Sequence, residues 1–236
     1  MGKRLLLVST SQTYGTGYLD HCAPEVVELF GGLKRVLFVP FALYDRDAYA
    51  TKARERFEKM GYGLDSVHEA DDPRRAVEEA EAIFIGGGNT FRLLETLYRL
   101  EMIDPIRRRV EAGAPYMGTS AGSNVAGATI KTTNDMPIVE PPSFDALALV
   151  RFQITPHYVD PEPGSTHMGE TRETRIREFL EENDQTVVGL REGAMLRIEG
   201  PLAVLRGARG ARIFRRGHDP EEVEPGARLD ALLERH

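Results

Sequence analysis

In the stretch Pro115-Tyr116-Met117-Gly118-Thr119-Ser120-Ala121-Gly122, a short apolar run leads into a serine that is flanked by small residues. Such a run is typical of a buried strand, and the residues after Gly122 are compatible with a helix. Glycines on both sides of the serine allow the backbone to turn sharply. The stretch therefore predicts a strand, a tight turn and a helix, which is the repeating unit of α/β folds.

Short apolar runs of the same kind recur on both sides of this stretch. They occupy residues 4–8, 35–39, 82–85, 152–156 and 186–190. Helix-compatible segments lie between several of them, at residues 46–60, 89–102 and 165–182. This alternation predicts an α/β fold with a mostly parallel sheet that is flanked by helices on both faces.

The C-terminal part of the chain has a different pattern. Residues 194–214 alternate apolar pieces with glycines, which predicts a C-terminal antiparallel meander. No linker rich in Pro, Gly and Ser divides the chain, and Pro137–Pro142 is interpreted as a loop. We therefore expect residues 1–236 to form a single domain.

Composition limits the partners and the compartment. The 236 residues carry a net charge of −7, which argues against a large nucleic-acid-binding surface. The early apolar run Leu5–Val8 is too short to cross a membrane or to act as a signal peptide, so we expect a cytoplasmic protein. Cys22 is the single cysteine and cannot form an internal disulfide. A homo-oligomer is compatible with these data.

The Gly118–Gly122 segment matches the G-x-S-x-G pattern of a nucleophile elbow. In an elbow the turn presents the Ser120 hydroxyl to a substrate, and the N–H of Ala121 faces the oxyanion that develops. The alternative is a structural turn in which Ser120 acts as a helix N-cap.

A serine nucleophile needs a base and a carboxylate that orients the base. His157 follows a candidate strand, and strand ends are where α/β folds gather functional residues. Asp135 lies in a polar loop, and Glu192 follows the run at residues 186–190. A structural histidine, an Asx-turn at Asp135 and a pair between Glu192 and Arg191 are the alternatives.

Two further sets of residues are candidates for contacts with substrate. Gly88, in the glycine run that ends a strand, is assigned as a second oxyanion donor, although a close helix–sheet contact has comparable weight. Arg172 and Arg175 lie three residues apart and are candidates to bind a substrate carboxylate, or else they pair with nearby glutamates. His157 and His167 lack the spacing of a known metal site, so we expect no metal.

Several of these motifs occur together and in one order: Gly86–Phe91, Ser120–Gly122, Thr132–Val139, Phe144–Leu147, Pro156-His157 and Gly169–Glu173. In this combination the chain closely resembles the S51 serine peptidases, the family of the α-aspartyl dipeptidases known as peptidase E. The resemblance implies a fold similar to class I glutamine amidotransferases. It also implies hydrolysis of dipeptides or short peptides with an N-terminal aspartate, without metal or organic cofactor.

The resemblance also implies roles for individual residues. Ser120 would be the nucleophile and His157 the general base. Asp135 is the favoured acidic partner, and Glu192 has a rival claim to that role. Asn89 and His167 join the two arginines as substrate-binding candidates.

The short distance in sequence between Ser120 and Asp135 leaves no room for a full βαβ crossover. We therefore expect a helix from Ser120 and then a loop that carries Asp135 back over the site.

Two other functions fit the same residues. A cyanophycinase-like hydrolase of aspartate-arginine polymers would share the nucleophile and the anionic substrate. A non-catalytic protein that holds a small anion at glycine-rich helix termini belongs to a different class. Release of aspartate from a peptide separates this last alternative from the two hydrolases.

Overall fold

The computed structural model of the chain describes residues 2–161, 164 and 169–234. Its strands are β1 (Arg4–Val8), β2 (Arg35–Val39), β3 (Gly63–Ser66), β4 (Ile83–Ile85), β5 (Tyr116–Thr119), β6 (Gln153–Tyr158), β7 (Val187–Arg191), β8 (Ala194–Glu199), β9 (Leu202–Gly207), β10 (Ala211–Phe214) and β11 (Glu221–Val223). Its α-helices are α1 (Ala23–Phe30), α2 (Arg46–Lys59), α3 (Pro73–Glu79), α4 (Thr90–Arg99), α5 (Ile103–Glu111), α6 (Ala121–Asn124) and α7 (Arg172–Glu182).

The larger sheet is mostly parallel, as predicted. Within the described residues its strand order is β3-β2-β4-β5-β1-β8-β9, and the first five of these strands run parallel. Leu5 and Leu7 of β1 contribute to one hydrophobic core, and Leu6 and Val8 contribute to another on the opposite face. Helices α1 and α2 pack on the Leu6 face, and α3 to α6 pack on the Leu5 face. The layered α/β prediction is confirmed.

The C-terminal strands are antiparallel, as predicted, but they divide between two sheets. Strands β8 and β9 extend the larger sheet, whereas β10 and β11 join β7 and β6 in a second sheet of order β11-β10-β7-β6. The chain crosses from the second sheet to the first at Glu192-Gly193, where Gly193 has a φ of 85°. Glu192 therefore lies at the junction of the two sheets.

Two predicted boundaries differ from the structure. Strand β6 continues through Pro156 to Tyr158, and its pairing with β7 is irregular between Thr155 and Tyr158. Proline is tolerated there because β6 is an edge strand. Helix α7 begins at Arg172, because the Thr171 side chain caps it by accepting from the Thr174 N–H at 3.1 Å. Residues 165–168, where the predicted helix starts, lie outside the described residues.

The helix after Ser120 is short, and a long loop follows it as expected. Helix α6 covers only Ala121–Asn124. Residues 125–152 then reach β6 without forming a further helix or strand. The Gly122 backbone lies against the carbonyl of Ile85, so a methyl group on Gly122 would overlap the main chain of β4.

Replacing Gly122 by alanine should therefore destabilise the fold. The overlap is with backbone, so no side-chain rotation relieves it, and we expect a loss of about 2–4 kcal/mol in the free energy of unfolding. Urea unfolding followed by circular dichroism measures it. Gly32→Ala is the control, because nothing lies within 4 Å of a methyl group added there. Equal stability of the two variants would contradict the close packing of α6 on β4.

Candidate active site

Ser120 sits on a strained turn between β5 and α6. Its φ of 49° and ψ of −110° lie in a region that residues with a side chain rarely adopt. The Ser120 side chain makes no capping hydrogen bond to α6, so it does not act as the N-cap that the alternative interpretation requires. Its backbone N–H donates to the Val8 carbonyl at 3.0 Å, which fixes the turn against β1. The hydroxyl is free to serve another partner.

His157 connects that hydroxyl to Glu192. Its Nε2 lies 3.0 Å from Ser120 Oγ, and its Nδ1 lies 2.8 Å from Glu192 Oε1. The Glu192 carboxylate accepts hydrogen bonds, so it holds the ring proton on Nδ1 and leaves Nε2 to accept from the Ser120 hydroxyl. The three side chains form a serine–histidine–carboxylate line. Parallel pairing of β6 and β7 brings His157 and Glu192 to the same end of the second sheet.

Asp135, the favoured acidic partner, is engaged elsewhere. Its carboxylate accepts from the backbone N–H of Thr90 at 2.7 Å and from the Thr90 hydroxyl at 2.5 Å. A carboxylate is stabilised there because the N–H groups at the start of α4 carry partial positive charge. The contact with the His157 ring belongs to Glu192, so the expected pairing of Asp135 with His157 is corrected.

The loop that carries Asp135 returns to the site, as the sequence predicts. The Asn89 side chain holds it, because Asn89 Nδ2 donates to the Met136 carbonyl at 2.8 Å. The same side chain caps α4 by accepting from the Arg92 N–H at 3.0 Å. Asn89 therefore has a clear structural task beside the site.

The predicted oxyanion donors are Gly88, in the glycine loop, and Ala121, the residue after Ser120. The glycine loop passes directly against the serine, since a methyl group added to Gly87 would lie 3.0 Å from Ser120 Cβ. Gly88 has a φ of 136° and sits against the Ala42 carbonyl, where a side chain would not fit. Ala121 is the first residue of α6, so its N–H has no acceptor within the helix. Their role in binding an oxyanion remains a prediction.

An open cavity of about 690 Å³ lies in front of Ser120. Asp135, His157 and Gly88 line it together with residues of the β1–α1 loop, the β2–α2 loop and α2. The residues of these three segments are Thr10, Ser11, Tyr18, Leu43, Tyr44, Asp45, Ala48, Tyr49 and Lys52.

The other substrate-binding candidates differ in how they are placed. Arg172 is half-buried at the start of α7. Burial and the neighbouring Arg175 lower the pKa of the Arg172 guanidinium, while the charge of Asp135 raises it. Arg175 is exposed, and its Nε donates to Glu170 Oε2 at 3.1 Å. His167 lies outside the described residues.

Sequence reasoning missed one residue that holds the site together. Ser9 is fully buried, and its hydroxyl donates to the Leu190 carbonyl and accepts from the His157 N–H, each at 2.9 Å. Its only signal in the sequence is its place directly after the apolar run at residues 4–8. Ser9 ties the ends of β1, β6 and β7 to one another.

The described ranges contain neither a candidate metal site nor a candidate membrane span. Residues 2–161, 164 and 169–234 contain no cluster of three or more His, Cys, Asp or Glu placed to hold a metal ion. None of the helices in these ranges combines the length and the apolar character needed to cross a bilayer.

A family model described as peptidase family S51 matches residues 5–205. The chain belongs to peptidase family S51. It is thus a serine peptidase of that family, and Ser120, His157 and Glu192 are the residues that its structure brings into line.

Relatives of known name cover the peptidase over nearly its full length. A peptidase E from Streptomyces coelicolor is 54% identical, covering 98% of this chain and 95% of the relative. A probable alpha-aspartyl dipeptidase from Drosophila melanogaster is 48% identical, covering 99% of this chain and 98% of the relative. The crystal structure of a peptidase from an acI-B1 Actinobacterium superimposes with a TM-score of 0.73 over 97% of each chain. At 18% identity, this last similarity shows the fold alone.

Proposed function

We propose that this peptidase is an α-aspartyl dipeptidase, which hydrolyses dipeptides or short peptides with an N-terminal aspartate through an acyl-enzyme on Ser120. The observation that carries the proposal is the line from Ser120 Oγ through the His157 ring to Glu192, with contacts of 3.0 and 2.8 Å. The names of the S. coelicolor and D. melanogaster relatives support the substrate class.

Acylation uses the three side chains in order. As Ser120 Oγ attacks the scissile carbonyl carbon, His157 Nε2 takes the hydroxyl proton, and the Glu192 carboxylate stabilises the imidazolium that forms. The N–H groups of Gly88 and Ala121 stabilise the negative charge on the tetrahedral oxygen. His157 then gives the proton to the leaving amine nitrogen, and the peptide C–N bond breaks.

Deacylation repeats these steps with water. His157 takes a proton from a water molecule, which attacks the ester carbon of the aspartyl-Ser120 intermediate. The proton returns to Ser120 Oγ as the ester bond breaks, and free aspartate leaves.

Selectivity for aspartate requires a cation beside the acyl side of the site. Arg172 is the candidate that we favour over Arg175, because Arg172 is half-buried and close enough to Asp135 for their charges to interact. Arg175 is exposed and already paired with Glu170. A guanidinium binds a carboxylate through two parallel N–H groups, which suits the fixed geometry of a short acidic side chain.

Asp135 lines the cavity and supplies the negative charge that the α-ammonium group of the substrate needs.

A matched set of dipeptides tests the substrate class. We expect cleavage of Asp-Leu but not of Glu-Leu, Asn-Leu or Ala-Leu, because only the first carries the β-carboxylate that we assign to Arg172. Liquid chromatography of the products in the presence of a chelator measures turnover, and Ser120→Ala is the inactive control. Cleavage of Ala-Leu as fast as Asp-Leu would contradict the assignment. Failure to cleave any of the four, together with cleavage of an aspartate-arginine polymer, would favour the cyanophycinase-like alternative.

Paired substitutions distinguish the two carboxylates. Glu192→Gln should lower kcat by about 100-fold, because an amide cannot stabilise the imidazolium. The loss is smaller than for a buried acid, since the Glu192 side chain is 57% exposed and water takes over part of its task. Asp135→Asn can still accept from the Thr90 N–H, so we expect its effect to fall mainly on KM. Steady-state kinetics on Asp-Leu separate the two, and a full kcat in Glu192→Gln would refute its role.

A further inference from the structure

A lysine and a tyrosine form a pair in the wall of the cavity. Lys52 of α2 places its Nζ 4.7 Å from the centroid of the Tyr18 ring, and both residues line the cavity that contains Ser120. Within the described part of the chain, Lys52 has no carboxylate partner. The pair plays no part in the catalytic line of Ser120, His157 and Glu192.

The Tyr18 hydroxyl is buried, and the Tyr49 hydroxyl, its polar neighbour, does not meet the geometry of a hydrogen bond to it. The Tyr49 ring packs against it edge-on with ring centroids 6.3 Å apart. Burial and the nearby Tyr49 hydroxyl raise the pKa of Tyr18 well above its ordinary value, so the phenol keeps its proton. A buried donor without an acceptor is costly, which points to a partner that arrives with the ligand.

The charges that face the cavity select the kind of ligand. Of its described lining residues, Asp45, Asp135, His157 and Lys52 are the groups that carry or can acquire charge near neutral pH. Asp45 caps α2 by accepting from the Ala48 N–H at 2.9 Å, and Asp135 is bound to the N-terminus of α4. Lys52 is the permanent cation of this set. A lysine ammonium beside a phenol donor suits a carboxylate.

The direction of the leaving group determines which carboxylate reaches this pair. The leaving nitrogen must lie beside His157 Nε2 to receive its proton. The His157 N–H donates a hydrogen bond to the Ser9 hydroxyl. Thr10 and Ser11, which follow Ser9 in the β1–α1 loop, line the cavity together with Tyr18 of the same loop. Tyr18 packs with the core on the α1 and α2 face of the larger sheet. Asp135 instead joins α4, which packs on the opposite face.

We propose that Lys52 and the Tyr18 hydroxyl bind the C-terminal carboxylate of the residue that leaves, so that free dipeptides are preferred over amidated or longer peptides. This inference rests on the proposed function. In a dipeptide that carboxylate carbon lies three bonds beyond the scissile carbonyl carbon, about 3–4 Å away. The flexible four-carbon stem of Lys52 allows its ammonium to follow the carboxylate.

Asp-Leu and its C-terminal amide, Asp-Leu-NH2, provide the test. We expect the kcat/KM of wild type to be at least about tenfold higher for the acid than for the amide. This factor is at the low end of the range for a hydrogen bond to a charged group, because Lys52 is exposed. Lys52→Met keeps the apolar stem and should bring the acid-to-amide ratio of kcat/KM close to one, by lowering only the value for the acid. Lys52→Arg should restore most of the preference.

Two further variants make the test specific. Lys59→Met removes a positive charge from an exposed position on the same helix, outside the cavity, and should leave the ratio as in wild type. Tyr18→Phe removes only the unpartnered hydroxyl, so it should keep the melting temperature and still reduce the ratio. Tyr18→Phe thus also tests the proposal if Lys52→Met fails to fold.

The outcomes separate this inference from the proposed function. Cleavage of Asp-Leu by wild type with the same ratio in Lys52→Met and Tyr18→Phe would overturn the carboxylate site and leave the dipeptidase assignment intact. Equal loss of both substrates in Lys52→Met would also overturn it, since a general effect is not recognition of the carboxylate. Cleavage of neither substrate by wild type would overturn both proposals.

Discussion

The buried Ser9 hydroxyl is the contact on which the active site depends. By donating to Leu190 of β7 and accepting from the backbone of His157, it joins the ends of three strands that belong to two sheets. Strand β1 is paired with β5, so the same junction also sets the position of Ser120. Loss of this hydroxyl would leave a buried N–H and a buried carbonyl unpaired. The alignment of Ser120, His157 and Glu192 is therefore a property of the sheet junction.

Backbone strain is concentrated where the reacting side chains meet. Ser120 and His157 both have positive φ, at 49° and 53°, which costs about 1–3 kcal/mol at each residue. The strain persists because strand pairing and the close contacts of Gly87 and Gly122 hold the backbone in this conformation. In return, the two side chains are held at hydrogen-bonding distance before substrate arrives, so less orientation remains to be achieved during reaction.

Local patterns in the sequence predict the elements, and tertiary pairing decides the rest. The apolar runs Arg4–Val8 and Arg35–Val39 have the bounds of the observed strands. A strand that is buried on both faces consists of a nearly continuous run of apolar residues, so its bounds can be read from the sequence. Asp135 and Glu192 both occupy polar loop positions and cannot be ranked from local sequence. The parallel pairing of β6 and β7 selects Glu192 for His157, and the edge position of β6 lets it continue through Pro156. Neither fact is encoded within a few neighbouring residues.

Covalent labelling tests most directly whether Ser120 is an activated nucleophile. A fluorophosphonate reacts with a serine hydroxyl only when a base removes its proton and nearby donors stabilise the oxyanion. We predict one adduct per chain, mapped to Ser120 by peptide mass spectrometry, absent in Ser120→Ala and formed much more slowly in His157→Gln. An adduct at another residue, or labelling at an undiminished rate in His157→Gln, would contradict the account.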